Sequence, residues 1–223
     1  MTVTTIIYSY KGGQEITERH LPIYRENTDN LMIISPTDSP CILPNTDCET
    51  YEESNMFGKP MLKRQLFGMK RALDIKSDYY VFIEYDGIML SRPVERDIIQ
   101  ANTFYDSSMV FSSVYYHHFP WIFPRKVLEE FCERVSLKPF NKGFVDRWLA
   151  GQLDIMNMKV FHLLESSEGF SRNTIEPQDI QQAIKAVSNG AYAIHGIKTE
   201  EVLGIVKENR KMYLNRDNPK LII

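Results

Sequence analysis

Cysteine is scarce in this chain of 223 residues: there are three, Cys41, Cys48 and Cys132, an odd count with no Cys-x-x-Cys pair. That excludes a disulfide framework or a cysteine-ligated zinc site as the organising feature, and it fits free thiols in a reducing compartment. Long apolar runs are also missing, none approaching the ~20 residues of a membrane-spanning helix. The N-terminal stretch MTVTTIIYSYKGG has no charged region ahead of its short apolar run, so it does not read as a signal peptide. The expectation is a soluble, cytoplasmic protein with no integral membrane segment. Excess charge of one sign is lacking: 26 basic residues stand against 29 acidic ones, a net charge of −3, which argues against the broad positive field of a nucleic-acid binder. With only 11 Gly and 11 Pro, and 43% hydrophobic residues, disorder, collagen and low-complexity architectures are excluded.

Several catalytic signatures are absent as well. Tyr10-Lys11-Gly12-Gly13-Gln14 opens like a phosphate loop, but no G-K-[ST] follows. Neither G-x-G-x-x-G nor G-x-S-x-G occurs, which removes the common dinucleotide-binding and α/β-hydrolase patterns. There is no internal repeat and no Gly/Ser linker. At about 150 residues per domain, one domain is expected.

What is present is an alternation of strand and helix patterns. Residues 3–8 (VTTIIY), 31–34 (LMII), 79–83 (YYVFI), 109–115, 159–164 and 191–194 read as strands. Residues 16–25, 61–75, 124–135, 144–153, 177–187 and 199–209 read as helices, with Pro124 suited to a first turn. The clearest helix is 61–75, where Leu62, Leu66, Met69 and Leu73 recur at spacings of four, three and four. Pro36, Pro40 and Pro44 predict an irregular loop through the segment 35–58, which holds five acids and no Lys or Arg. Such alternation specifies an α/β fold with a mainly parallel sheet. The last 17 residues, 207–223, carry a charge of +3 and the remainder −6. These are solvated surfaces, or, for the tail, a modest attraction to a phosphate-rich acceptor.

Ligands of open α/β sheets bind beyond the carboxyl ends of the strands. Residues there are Ser9, Tyr10 and Lys11 after the first strand, Thr37 and Asp38 after the second, Glu84 and Asp86 after the third, and His195 and Lys198 after the last. Glu84-Tyr85-Asp86 follows a strongly apolar strand, and residues 84 and 86 project to one side if the chain stays extended. Two such carboxylates suit a hard divalent cation, Mg²⁺ or Mn²⁺. A capping Asp in a plain turn, with Gly87 completing it, accounts for the same residues. His117 and His118, adjacent and therefore facing opposite ways on a strand, read as aromatic packing near Trp121, or as lining for an acceptor.

The block 61–90, an amphipathic helix followed by SDYYVFIEYDGIML, resembles the core of the glycosyltransferase A superfamily, in which a hydrophobic strand ends in an acidic D-x-D motif. Here the motif reads Glu84-Tyr85-Asp86. A second block, Ile194-His195-Gly196-Ile197-Lys198, is similar to the histidine-glycine segment of metal-dependent members. The resemblance implies a single-domain, nucleotide-binding, Rossmann-like fold of that type over residues 1–206, ahead of a basic tail 207–223. It implies Asp86 and His195 as ligands of Mn²⁺ or Mg²⁺, with Glu84 a longer-reaching ligand that also faces the donor. It implies Lys198 on the donor diphosphate, Asp38 at the nucleoside, and Tyr8 and Arg64 on the donor side. Asp146, at the start of a helix, takes the place of the general base of inverting members. Helix-surface and loop-capping roles stand beside these for Asp146, Arg64 and Asp38. The implied activity is transfer of a sugar from a nucleoside-diphosphate sugar to an acceptor hydroxyl on a glycan, lipid carrier, protein or modified DNA base. A sugar-activating nucleotidyltransferase and a non-catalytic sugar-nucleotide binder are the alternatives.

Overall fold

The computed structural model describes residues 1–54, 58–89, 92, 109–112, 120–137, 140, 145–162, 175, 179, 181 and 193–214. For 109–112, 146, 159–162, 193 and 210–214 it describes the backbone alone. Among the described residues, seven strands form one sheet in the order β3-β2-β1-β4-β7-β6-β8. The strands are β1 (Val3–Tyr8), β2 (Asn30–Ser35), β3 (Asp47–Thr50), β4 (Tyr79–Glu84), β6 (Met109–Ser112), β7 (Trp121–Pro124) and β8 (Lys159–His162). A two-stranded ladder of β5 (Ile88–Met89) and β9 (Ala193–Ile194) stands apart from it. Neighbours in the sheet pair in parallel except at β7, which runs antiparallel to both β4 and β6. This is the mainly parallel, mixed α/β sheet expected from the sequence.

Strands buried on both faces carry continuous apolar runs, and their alternate side chains feed two cores. From β1 and β4, Ile6, Tyr8, Tyr80 and Phe82 enter a core with Leu62, Leu66 and Met69 of helix α2 (Lys59–Ala72). The intervening Ile7, Val81 and Ile83 enter the other core, with Leu21 and Tyr24 of helix α1 (Gln14–Asn27). Helices α3 (Arg125–Arg134) and α4 (Val145–Ile155) pack on the α2 side through Leu128, Phe131, Leu149 and Leu153. Helix α5 (Glu200–Leu214) closes the described chain. Trp121 is fully buried in the α2-side core.

Chain order fixes where a ligand can sit. The connection from β1 through α1 leads outward to β2, whereas the chain returns through α2 to place β4 on the other side of β1. The order reverses between β1 and β4, and at such a switch point the loops diverge and leave a crevice beyond the strand ends. In register, Tyr8 stands beside Glu84 on one side and Ile34 on the other.

Three strands depart from the sequence reading, and one of them, β5, is a two-residue pair too short to show a period. β3, in the acidic segment expected to be irregular, is an edge strand paired only with β2, so its residues DCET need no apolar face. β7 comprises four residues directly before α3, and Pro124 ends that strand instead of starting the helix. Short apolar runs beside a helix carry no period that separates them from it. The expected helix 177–187 and the pair His117-His118 lie outside the described residues, apart from isolated positions 179 and 181. Residues 207–214 continue α5.

Arg125 joins α3 to the end of α2. Its guanidinium donates to the Leu73 carbonyl (3.0 Å), the Ile75 carbonyl (3.3 Å) and the Tyr80 hydroxyl (2.7 Å), which satisfies acceptors that a helix C-terminus leaves open. Gly68 is where α2 lies closest to the sheet: a Cβ there would come within 2.8 Å of the Tyr8 ring and 3.1 Å of Ile34. Alanine is favoured over glycine in a helix by about 1 kcal/mol. Overpacking a closed core costs about 1–3 kcal/mol. Gly68→Ala is therefore expected to lower the urea midpoint despite its better propensity. An unchanged or raised midpoint would show that α2 can ride up on Tyr8 without loss.

Candidate metal and sugar-nucleotide site

The strand β4 delivers Glu84 to the rim, and the chain then turns through Tyr85-Asp86-Gly87 into β5. The Tyr85 N–H donates to the Tyr8 carbonyl at 2.9 Å, so β4 is still tied to β1 at that point. One residue later the partner changes. The Asp86 carbonyl accepts from the N–H groups of Gly196 (3.0 Å) and Ile197 (2.9 Å), and β5 pairs with β9 through Ile88 and Ile194. Gly196 has φ of 90°, a conformation open to glycine, and that turn lets two successive N–H groups face one carbonyl. Segments about 110 residues apart are thus joined by main chain before any side chain is considered.

Three side chains meet as a result. The ligand atoms of Glu84, Asp86 and His195 all lie within 4.8 Å of one another. His195 Nε2 is 2.7 Å from Glu84 Oε2 and 3.1 Å from Asp86 Oδ1, and Lys198 Nζ is 3.3 Å from Asp86 Oδ2. The Asp86 side chain is 3% exposed, His195 12% and Glu84 31%, so the cluster opens toward Glu84. Burial alone would raise the Asp86 carboxyl, but His195 and Lys198, in contact with its two oxygens, hold it below its ordinary value by their positive charge. For His195 burial opposes the charged ring; the two carboxylates outweigh it and hold the imidazolium up to about 10.

Two carboxylates and an imidazole are an oxygen and nitrogen donor set that suits a divalent cation. Asp86 Oδ1 is buried and makes no hydrogen bond of good geometry, which leaves it lone pairs for a ligand. Lys198 balances the second Asp86 oxygen. The residues present therefore fit a divalent metal ion. A metal takes the place of the His195 proton, so binding must release that proton.

The remaining rim residues lie along the ends of β1, β2 and β3. Asp38 is exposed and accepts from the Ser54 N–H (2.5 Å) and hydroxyl (2.6 Å), and the hydroxyl bond holds its carboxyl below the usual range. Arg64, largely buried on α2, donates to the Glu53 carbonyl at 3.1 Å, beside Ser54. These two flank one loop. Tyr8 does not face the rim: its hydroxyl donates to the Gln65 carbonyl at 2.7 Å, and its ring lies under α2 against Phe82. Asp146 is the second residue of α4, and its side chain lies outside the described residues.

Tyr85, the middle residue of the acidic motif, was not singled out by the sequence. Its ring packs edge-on against Tyr10, 5.2 Å between centroids, and Lys198 Nζ stands 5.9 Å from the ring centre. A Cβ on Gly13 would approach the Tyr85 ring to 2.7 Å, and one on Gly12 the Tyr10 ring to 2.5 Å. The Gly12-Gly13 pair makes room for these two rings.

No protein-family model matches the chain, and no curated protein matches it significantly. Solved structures do match. One from Desulfovibrio desulfuricans, described as a candidate nucleotide-diphospho-sugar transferase, is 10% identical, with 96% of this chain and 99% of that chain covered and a TM-score of 0.49. A Drosophila β-1,4-galactosyltransferase 7 with manganese, UDP-Gal and xylobiose is 10% identical over 73% of this chain and 65% of its own, TM-score 0.43. A CMP-2-keto-3-deoxy-manno-octonic acid synthetase with CTP is 10% identical over 73% of this chain and 90% of its own, TM-score 0.38. No site residue is carried over from any of them. Among the described residues, no helix is long and apolar enough to cross a membrane.

The two histidines near Asp86 set opposite pH slopes. Without metal, folded His195 keeps a proton that the unfolded chain loses above about pH 6.5, so its contribution is complete below that pH and is lost as pH rises toward 10. Burial holds His20 of α1 down to about 4, so the unfolded chain takes a proton that the folded one refuses as pH falls from about 6.5 to 4. Urea unfolding in EDTA is expected to show greatest stability near pH 6.5, with limbs no steeper than about 1.4 kcal/mol per pH unit from each group. His195→Asn should remove the alkaline limb, as should saturating Mn²⁺. A profile that is flat from pH 6.5 to 9 in EDTA would contradict the charge arrangement.

Proposed function

We propose that this chain is a metal-dependent glycosyltransferase that moves a sugar from a nucleoside-diphosphate sugar to an acceptor hydroxyl. The observation that carries this reading is the convergence of Glu84, Asp86, His195 and Lys198 at the switch point of the sheet. An acidic pair with one imidazole and one ammonium is the donor set needed to hold a divalent cation beside a diphosphate.

Cleavage of the sugar–phosphate bond leaves growing negative charge on the nucleoside diphosphate. When bound, Mn²⁺ or Mg²⁺ supplies positive charge beside the leaving oxygens. Asp86 and His195 hold that ion, and Glu84, at the open side of the cluster, reaches it or the donor. Lys198 places a second positive charge on the same side and binds the diphosphate as its charge grows. Asp38 and Arg64, flanking the loop that carries Glu53 and Ser54, bind the nucleoside end. Tyr8 supports this side from below, as the floor under α2. Asp146 removes the proton of the attacking hydroxyl, so that the sugar is transferred with inversion.

A nucleotidyltransferase would use the glycine-rich loop after the first strand against a triphosphate. Here the space over Gly12 and Gly13 is taken by the rings of Tyr10 and Tyr85, which favours the glycosyltransferase reading.

Incubation with radiolabelled UDP-, GDP- and CDP-sugars and Mn²⁺ is expected to release free sugar from one of them even without acceptor. A protein that binds these donors without hydrolysing any would be the non-catalytic relative, and pyrophosphate release from a nucleoside triphosphate and sugar phosphate would mark the nucleotidyltransferase. Lys198→Ala is expected to lower turnover by about 10²–10³ with little change in melting temperature, and turnover within twofold of wild type would make it an ordinary surface cation. Once an acceptor is in hand, Asp146→Asn is expected to lose about a hundredfold or more in rate. NMR of the product's anomeric proton should show inversion, and retention would remove the base role of Asp146.

A further inference from the structure

The outer edge of the acid-bearing segment is held by a helix instead of a strand. Two polar side chains buried on α1 reach its main chain. His20, one turn earlier on the same helix, packs edge-on against the Tyr24 ring, 6.0 Å between centroids. The Tyr24 hydroxyl donates to the Gly87 carbonyl. Asn27 Nδ2 donates to the Met89 carbonyl at 3.0 Å and to Ile23 of its own helix at 2.9 Å. Positions 20, 24 and 27 are spaced by four and three, one face of a helix. Positions 87 and 89 alternate along the extended chain that follows the turn, so their carbonyls share one edge. The Asp86 carbonyl goes the other way, to Gly196 and Ile197. Asp86 is thus held by its own carbonyl and, through α1, at the residue that follows it.

A helix meets a sheet through apolar side chains unless polar ones find partners, because a buried unpaired donor is costly. The α1 stripe finds them one and three residues beyond the most buried acid of the cluster. We propose that Tyr24 and Asn27 are positioning residues that set the place of the Asp86 carboxylate for metal binding. This rests on the metal reading of the rim. Outer contacts that orient a ligand are commonly worth 10–100-fold in metal affinity.

Free Mn²⁺ measured by electron paramagnetic resonance gives the affinity of the whole protein for the metal alone, and melting temperature is recorded beside it. Tyr24→Phe removes only the hydroxyl on Gly87. Tyr80→Phe is its matched control, because the Tyr80 hydroxyl also donates to a carbonyl, that of Ile75 at 2.7 Å, but at the far end of β4. Tyr24→Phe is expected to weaken Mn²⁺ binding 10- to 100-fold. Tyr80→Phe is expected to melt earlier while binding Mn²⁺ as wild type does. Asn27→Leu, which loses the bond to Met89, should weaken Mn²⁺ binding likewise, and Asn27→Gln, which keeps an amide donor, should recover most of it. Tyr24→Phe and Asn27→Leu within twofold of wild type, or Tyr80→Phe as weak as Tyr24→Phe, would overturn the positioning role. Asp86→Asn separates the two levels: if it leaves Mn²⁺ affinity unchanged, the metal reading itself is overturned, and the role of the stripe falls with it.

Discussion

The main-chain carbonyl of Asp86 accepts two hydrogen bonds, from Gly196 and Ile197, and the candidate site depends on them. The β4 strand brings two carboxylates to the end of the sheet, but a histidine and a lysine from the far end of the chain must be brought to the same spot. Side-chain attraction would be a weak means of doing so, since closing a loop of this length costs entropy before any contact forms. Backbone pairing of β5 with β9, extended by the Gly196 turn, fixes the geometry with bonds that do not depend on side-chain charge. The charged groups then meet as a consequence of the fold.

Charge balance explains how such a cluster survives burial. A carboxylate removed from water is costly unless it is paired, and Asp86 is paired at each oxygen, with His195 on one and Lys198 on the other. The His195 proton stands where a cation would sit, and it leaves Oδ1 without a well-formed hydrogen bond. Replacing that proton by a divalent ion keeps every carboxylate paired. The Tyr10 and Tyr85 rings wall one side of this space, seated over glycines because no Cβ fits beneath them.

Much of this was legible in the sequence. The runs VTTIIY and YYVFI consist of β-branched and aromatic residues because both faces are buried, and their bounds agree with β1 and β4 to within a residue. The α2 stripe of Leu62, Leu66 and Met69 is likewise the face that packs on the sheet. Glu84, Asp86, His195 and Lys198 were found because they follow strand ends, where α/β proteins place ligands. β3 was not legible, since an edge strand can be polar, and β7 was not, since four apolar residues before a helix have no period of their own. The pair Tyr24 and Asn27 was missed for a different reason. Polar residues at helical spacing read as a solvated face, and only the carbonyls of Gly87 and Met89 show what they are for. Tyr8 ends a strand like the site residues do, but its side chain falls on the core face of the pleat.

The central claim is that Asp86 and His195 share one divalent ion. Anomalous diffraction from crystals grown with Mn²⁺ tests it directly. The expected result is a single strong peak about 2.0–2.3 Å from Asp86 Oδ1 and His195 Nε2, with the direct contact between those two atoms opened. A peak elsewhere on the molecule, or none at the rim with the 3.1 Å contact intact, would contradict it.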